Sequence, residues 1–161
     1  MPSLQTVCDR QQVRATVFSP GYAAERGPDA VRSIRDAGHE SAHHGYLHEG
    51  SRRADPETEE RRLRRGFEAL ESVAGVRPIG YRAPNWELSY ALPAIQARHG
   101  IRSDAALMDA DHPQRLAVSA PPDAPLFLGL PGHWTPEHRA ASNTPPALHA
   151  PDTHGSPAPT S

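Results

Sequence analysis

The sequence predicts an α/β fold in which a parallel sheet, or part of a barrel, carries the functional residues. Stretches with strand character alternate with helical stretches three times before residue 108, which is the pattern of repeated β–α units. The segment richest in histidine follows one of these strands, where α/β folds place their chemistry. The length of 161 residues fits one domain. We predict that the domain spans residues 1–118 and that 119–161 form a Pro/Ala/His-rich, low-order tail.

The first part of the predicted domain alternates helices with strands. A helical segment covers residues 3–11 and is expected to bury Cys8, the only cysteine, which excludes an internal disulfide. Alternating apolar and polar residues predict a strand over 12–18 that ends in a turn at Pro20 and Gly21. A short helix begins near Pro28 and stops at Gly38, and a second strand over 40–43 follows.

The clearest helix begins after Asp55, a good N-cap, and its apolar positions recur at helical spacing until Gly75. Its glutamates precede its arginines, which suits the helix dipole. These glutamates also offset the arginine run, so with a net charge of −2 the sequence argues against nucleic acid or a membrane as the main partner. Strands over 78–82 and 101–108, with a helix over 89–100 between them, complete the predicted pattern.

The segment from Gly38 to His48 contains four histidines, and two of them, His44 and His48, are four residues apart. Neutral imidazoles bind divalent metal ions readily. A turn of the chain at Gly45 would bring the two rings together. A polar loop without a metal is the alternative that these residues alone leave open.

Three ordered segments resemble the NodB-homology polysaccharide deacetylases of carbohydrate esterase family four, in particular their peptidoglycan-deacetylase-like subgroup. Residues 15–21 are similar to the family's strand and turn, residues 38–49 to its metal-binding second motif, and residues 81–86 to its Arg-x-Pro third motif. The resemblance implies a distorted (β/α) barrel of the glycoside hydrolase/deacetylase type. It also implies one divalent ion, zinc in most cases and cobalt or a similar metal in others, that supports hydrolysis of an acetamide bond.

The resemblance assigns roles to six residues of this chain. His44 and His48 would be metal ligands, and Arg82 would orient the carboxylate of the catalytic base. The substrate groove would be lined by Tyr46, Pro84 and Trp86. Two of the six have simpler interpretations, because Arg82 could form an ordinary surface ion pair and Trp86 could belong to the core.

The sequence departs from the family pattern at both ends. The family's acidic first motif supplies the base and the third metal ligand, but only Asp9 precedes the first strand, and Asp109 and Asp111 come too late. In the tail, the run from Leu130 to His133 is only superficially similar to the motif that carries the family's catalytic histidine. These departures lead us to expect a truncated or frame-shifted gene product. Its fold would be a partial barrel that lacks the first strand and ends in a disordered tail.

The primary functional prediction is a metal-dependent hydrolase of non-peptide carbon–nitrogen bonds. It would remove acetyl groups from an N-acetylated polysaccharide, at a rate impaired by loss of the acidic motif. The alternatives are a cyclic-amide hydrolase, a non-catalytic metal- or glycan-binding remnant, and an unstable fragment. The partner is then an N-acetylated glycan or a small cyclic amide. Uncovered sheet edges favour self-association, and with no secretory or membrane segment visible the default localisation is cytoplasmic.

Overall fold

A six-stranded sheet organises the part of the chain that the computed structural model describes, residues 3–108, 110–118 and 126–132. The strands are β1 (Thr16–Ser19), β2 (Glu40–His43), β3 (Gly80–Tyr81), β4 (Ser103–Asp104), β5 (Gln114–Arg115) and β6 (Leu128–Gly129). The helices are α1 (Leu4–Gln11), α2 (Gly21–Arg26), α3 (Pro28–Asp36), α4 (Pro56–Ala74) and α5 (Leu92–Arg98). A short 3-10 turn covers Pro84–Trp86.

The strands run in the order β1-β2-β3-β4-β6-β5. Four neighbouring pairs are parallel, namely β1–β2, β2–β3, β3–β4 and β4–β6. Strand β5 lies antiparallel to β6 at one edge of the sheet. This arrangement confirms the predicted α/β class with a parallel sheet. The other edge is β1, so both outer strands offer backbone groups for pairing, and self-association through them stays a prediction.

Local differences from the sequence prediction have identifiable causes. The first strand begins later than residue 12, because Gln12 takes left-handed backbone angles of φ 51° and ψ 37° that end α1 and interrupt an extended run. The sequence prediction missed α2, whose six residues are too few to show a helical period. Cys8 is buried in α1, as predicted.

Helix α4 is the main apolar support of the sheet, and both of its predicted ends are confirmed. Asp55 Oδ1 accepts a hydrogen bond of 2.8 Å from the Thr58 amide, and Gly75 closes the helix with φ 70°. Leu63, Phe67 and Leu70 are at most 2% exposed. Burial of such side chains stabilises a fold by roughly 1.5–3 kcal/mol each. Helix α4 contacts β2, α2 and α3, so it holds the strand that leads to the histidine segment.

The stretch predicted as a tail, 119–161, includes β6. Phe127, beside this strand, is 2% exposed and belongs to the core cluster of Leu63 and Phe67. Residues 119–125 and 133–161 of the predicted tail lie outside the described residues. Within the described ranges, no helix combines the length and the apolar character that crossing a bilayer requires.

Candidate functional site

The candidate site lies at the carboxyl ends of β1, β2 and β3, where the loops of neighbouring parallel strands meet. Backbone hydrogen bonds join these loops directly. The Gly21 amide donates to the Gly45 carbonyl over 3.0 Å, and the Arg82 amide donates to the His43 carbonyl over 3.0 Å. The histidine segment after β2 is therefore held from both sides, by the loop after β1 and by the loop after β3.

The structure brings His44 and His48 together. Their ring centres are 4.9 Å apart, with an angle of 71° between the ring planes. Gly45, at φ 74°, allows the chain to turn between them, and His48 itself has φ 62°. With metal–nitrogen distances of about 2.0–2.1 Å, two imidazoles on one tetrahedral ion have ring centres roughly 5 Å apart. The distance between the two ring centres is therefore compatible with a shared ion, and the role of the pair as metal ligands stays a prediction.

A hydrogen bond fixes the tautomer of His44. Its Nδ1 lies 2.7 Å from the carbonyl oxygen of Arg82. Because a carbonyl can only accept, Nδ1 carries the proton and Nε2 keeps a free lone pair for a metal. Partial burial lowers the pKa of His44, and the Arg82 guanidinium acts in the same direction, although the hydrogen bond to the Arg82 carbonyl acts against this shift. The neutral ring, which is the form that binds metals, is therefore favoured.

The described residues provide two donors and no more. No group of three or more His, Cys, Asp or Glu side chains that could hold a metal occurs among them. Asp109 and His133, which the sequence analysis considered, lie outside the described residues. Structural and catalytic zinc sites use three or four protein ligands. The residues present therefore fit a divalent ion as two of its ligands.

Arg82 is fixed by the residues around it. Its Nε donates to the Ala105 carbonyl over 3.2 Å, and its guanidinium carbon lies 4.5 Å from the centre of the Phe18 ring. The side chain is half-buried. Because its backbone carbonyl also holds His44, Arg82 ties the third predicted motif to the second.

The three predicted substrate residues have different environments. Pro84 is buried, and a Cβ built on Gly45 would lie 3.3 Å from Pro84 Cγ, so the loops after β2 and β3 touch at this point. Trp86 is half-buried at the end of the 3-10 turn, with φ 57°. The Tyr46 hydroxyl already donates to Glu25 over 3.0 Å and accepts from Arg65 over 3.2 Å. The role of all three in substrate binding stays a prediction.

Sequence reasoning assigned no role to His43, which lies in the core beneath the turn between His44 and His48. Its ring is fully buried and stacks on Tyr81, with 5.2 Å between centres. Nε2 lies 3.0 Å from the Leu63 carbonyl, and Nδ1 accepts from the Gly45 amide over 3.1 Å. Burial lowers the pKa of His43 to about 4. A neutral His43 therefore joins α4 to the turn that follows His44, and only the fold, not the histidine count, separates it from a metal ligand.

Sequence reasoning also assigned no role to Asp104, the last residue of β4. It is 0% exposed, and its carboxylate accepts hydrogen bonds from the Ala106 amide (2.7 Å) and from Gln96 Nε2 (2.8 Å). Burial raises its pKa to about 6, although both hydrogen bonds and the charge of Arg82 act in the opposite direction. The available signal was an acidic residue between the apolar stretches of a predicted strand.

Replacement of Asp104 by asparagine should change how stability depends on pH. The ordinary pKa of 3.8 applies to the unfolded chain, so the stability that protonated Asp104 contributes is fully present below pH 3.8 and is lost as the pH rises through about 6. Asp104→Asn removes this dependence. Between pH 4 and 7 the free energy of unfolding of the variant, relative to that of the wild type, should therefore rise by roughly 2 kcal/mol. Urea unfolding in EDTA measures the difference, and parallel pH profiles would contradict the prediction.

Comparison of the sequence with protein-family models assigns the chain to a family. The family model described as Polysaccharide deacetylase matches residues 1–103, a range that contains the His44–His48 pair and the Arg82 loop. The chain belongs to the polysaccharide deacetylase family. This membership confirms the predicted family, whose solved members share the fold described above.

Relatives agree with this assignment at the level of the family. A peptidoglycan deacetylase from Helicobacter pylori is 35% identical over 111 residues, which cover 69% of this chain and 38% of the relative. A crystal structure from Mycobacterium smegmatis, assigned to the polysaccharide deacetylases, is 50% identical with a TM-score of 0.76, and the match covers 81% of this chain and 44% of that one.

A more distant structure resembles the chain in fold alone. It is a family 4 acetyl xylan esterase from Clostridium thermocellum, solved with a cobalt ion, at 23% identity and a TM-score of 0.50. The match covers 57% of this chain and 48% of the esterase. In all three comparisons the chain spans less than half of the relative's length.

Proposed function

We propose that this polysaccharide deacetylase domain supports metal-dependent N-deacetylation of an N-acetylated glycan. The observation that carries the proposal is the His44–His48 pair, in which the Arg82 carbonyl fixes one ring so that its Nε2 is available. Relatedness to a peptidoglycan deacetylase supports the substrate class. Zinc fits a pair of neutral imidazoles best, and cobalt is the next candidate.

Each predicted residue then has a definite task. His44 and His48 would hold the ion, which when bound lowers the pKa of water and polarises the acetamide carbonyl. The Arg82 guanidinium, held by Ala105 and Phe18, would orient and keep ionised the carboxylate that takes up a proton. Pro84 shapes the wall beside Gly45, and Trp86 would offer a flat face to a sugar ring.

The small donor set favours slow catalysis by this chain alone. Among the described residues no carboxylate joins the two histidines. An ion with two protein ligands is held weakly, and hydrolysis without a positioned base is slow. The same observation favours a second candidate function, a metal- or glycan-binding protein without turnover.

Acetate release distinguishes these functions. We expect slow, zinc- or cobalt-dependent release of acetate from N-acetylglucosamine oligomers or peptidoglycan, and complete loss of that release in His48→Ala. Tyr90→Ala, a change at a side chain that is 53% exposed, serves as a control that should leave the rate unchanged. Metal binding without acetate release would support the second candidate. Absence of both would contradict the metal site itself.

A further inference from the structure

We propose that Asp104 is a positioning residue for the site: its buried carboxylate fixes the turn after β4, and that turn fixes Arg82 and, through Arg82, His44. This inference rests on the proposed function for its consequence in catalysis. Its structural part concerns a chain of hydrogen bonds and can be tested without turnover.

The first step is the turn itself. Asp104 Oδ1 accepts from the Ala106 amide over 2.7 Å, and Oδ2 accepts from Gln96 Nε2 on α5 over 2.8 Å. Asp104 and Gln96 are both 0% exposed, so water cannot replace either bond. An apolar side chain of the same size would fill the space but would leave the Ala106 amide without its acceptor, which is unfavourable in a buried position.

The second step leads from the turn to Arg82. Ala105 lies inside the turn, and its amide donates to the Tyr81 carbonyl over 2.9 Å. Its carbonyl accepts from Arg82 Nε over 3.2 Å. Because the Ala106 amide belongs to the same peptide unit as the Ala105 carbonyl, the bond to Asp104 sets the direction of that carbonyl. Loss of the carboxylate therefore releases the acceptor that orients the guanidinium.

The third step leads from Arg82 to the histidine pair. The Arg82 amide donates to the His43 carbonyl over 3.0 Å, and the Arg82 carbonyl accepts from His44 Nδ1 over 2.7 Å. Arg82 thus forms three hydrogen bonds near the site, two through its backbone and one through Nε. Substitution of a residue that hydrogen-bonds a metal ligand typically lowers metal affinity by roughly 10–100-fold.

The test follows the Nε–H proton of Arg82 by NMR. Its signal is assigned by its disappearance in Arg82→Lys. In the wild type we expect slow exchange with solvent, and rapid exchange there would overturn the proposal by itself. Asp104→Asn keeps an acceptor for the Ala106 amide, and its Nδ2 can donate to Gln96 Oε1, which has no partner among the described residues. This variant should keep the slow signal, whereas Asp104→Leu should lose it.

A core variant separates positioning from loss of stability. Ile95→Ala, on the same helix as Gln96 and 1% exposed, should lower the melting temperature but keep the slow Nε–H signal. If Ile95→Ala loses the signal as well, the proposal is overturned.

Cobalt affinity tests whether the effect reaches His44. We expect about a tenfold loss in Asp104→Leu and little change in Asp104→Asn. Unchanged affinity in Asp104→Leu would overturn the link to His44. A wild type that binds no cobalt would overturn the proposed function, while the Nε–H result would still decide the role of Asp104.

Discussion

Gly66→Ala should destabilise the protein by about 3 kcal/mol, although alanine is the better helix former. In an open helix interior this change would stabilise by roughly 0.5–1 kcal/mol. At position 66, however, the added Cβ would lie 2.2 Å from His43 Nε2 and 3.1 Å from the Gly45 carbonyl oxygen. His43 is fully buried between Phe67 and Tyr81, so it has no free space to move into, and overpacking of this kind costs about 1–3 kcal/mol or more.

Urea unfolding of Gly66→Ala, of a control variant and of a double-mutant cycle with His43→Ala tests the cause as well as the size of this effect. Arg64→Ala, an exposed position on the same helix, should stay within about 0.5 kcal/mol of wild type. In a His43→Ala background the main clash is gone, so Gly66→Ala should cost less there than in the wild type. Equal costs in both backgrounds would show that His43 is not the obstacle.

The close approach of α4 to β2 supports the turn at Gly45. Because Gly66 has no side chain, the ring of His43 lies directly against α4. In this position Nδ1 of His43 accepts a hydrogen bond from the Gly45 amide. The turn that brings His44 and His48 together is therefore supported by the core and not only by loop contacts. Disruption at Gly66 is expected to disturb the histidine pair as well as the stability.

Features with local causes could be predicted from the sequence. The ends of α4 depend on Asp55 and Gly75, whose capping preferences act within one turn of chain. The approach of His44 to His48 depends mainly on their spacing and on the backbone freedom of Gly45. The family resemblance then supplied the order of the motifs along the chain.

Features that depend on contacts distant in sequence could not be predicted. The stretches 78–82 and 101–108 were expected to be strands, but only two residues of each pair in the sheet, because pairing depends on neighbours that are remote in sequence. His43 and His44 are adjacent and chemically identical. Their hydrogen-bond partners, which come from distant parts of the chain, distinguish them. The Leu63 carbonyl bonds to the buried ring of His43, and the Arg82 carbonyl bonds to the ring of His44 at the site.

His44→Ala should reduce the affinity for zinc or cobalt by about 100-fold or more. His44 has the more firmly fixed ring of the pair, since the 2.7 Å bond to the Arg82 carbonyl determines both its orientation and its free nitrogen. A change in a residue that only hydrogen-bonds a metal ligand already costs roughly 10–100-fold, and removal of one of two donors leaves His48 alone. Titration of cobalt, followed by its visible absorption, measures the affinity and reports nitrogen coordination.

The control for that titration is His39→Gln, because the chain has ten histidines that could bind metal weakly. His39 precedes β2, at the opposite end of the strand from His44, and its Nδ1 accepts from the Ala15 amide over 3.4 Å. The control removes one imidazole but leaves the pair intact, so it should keep the wild-type affinity. If His39→Gln and His44→Ala weaken binding equally, the metal is held by scattered histidines, and the pair at the end of β2 is not the site.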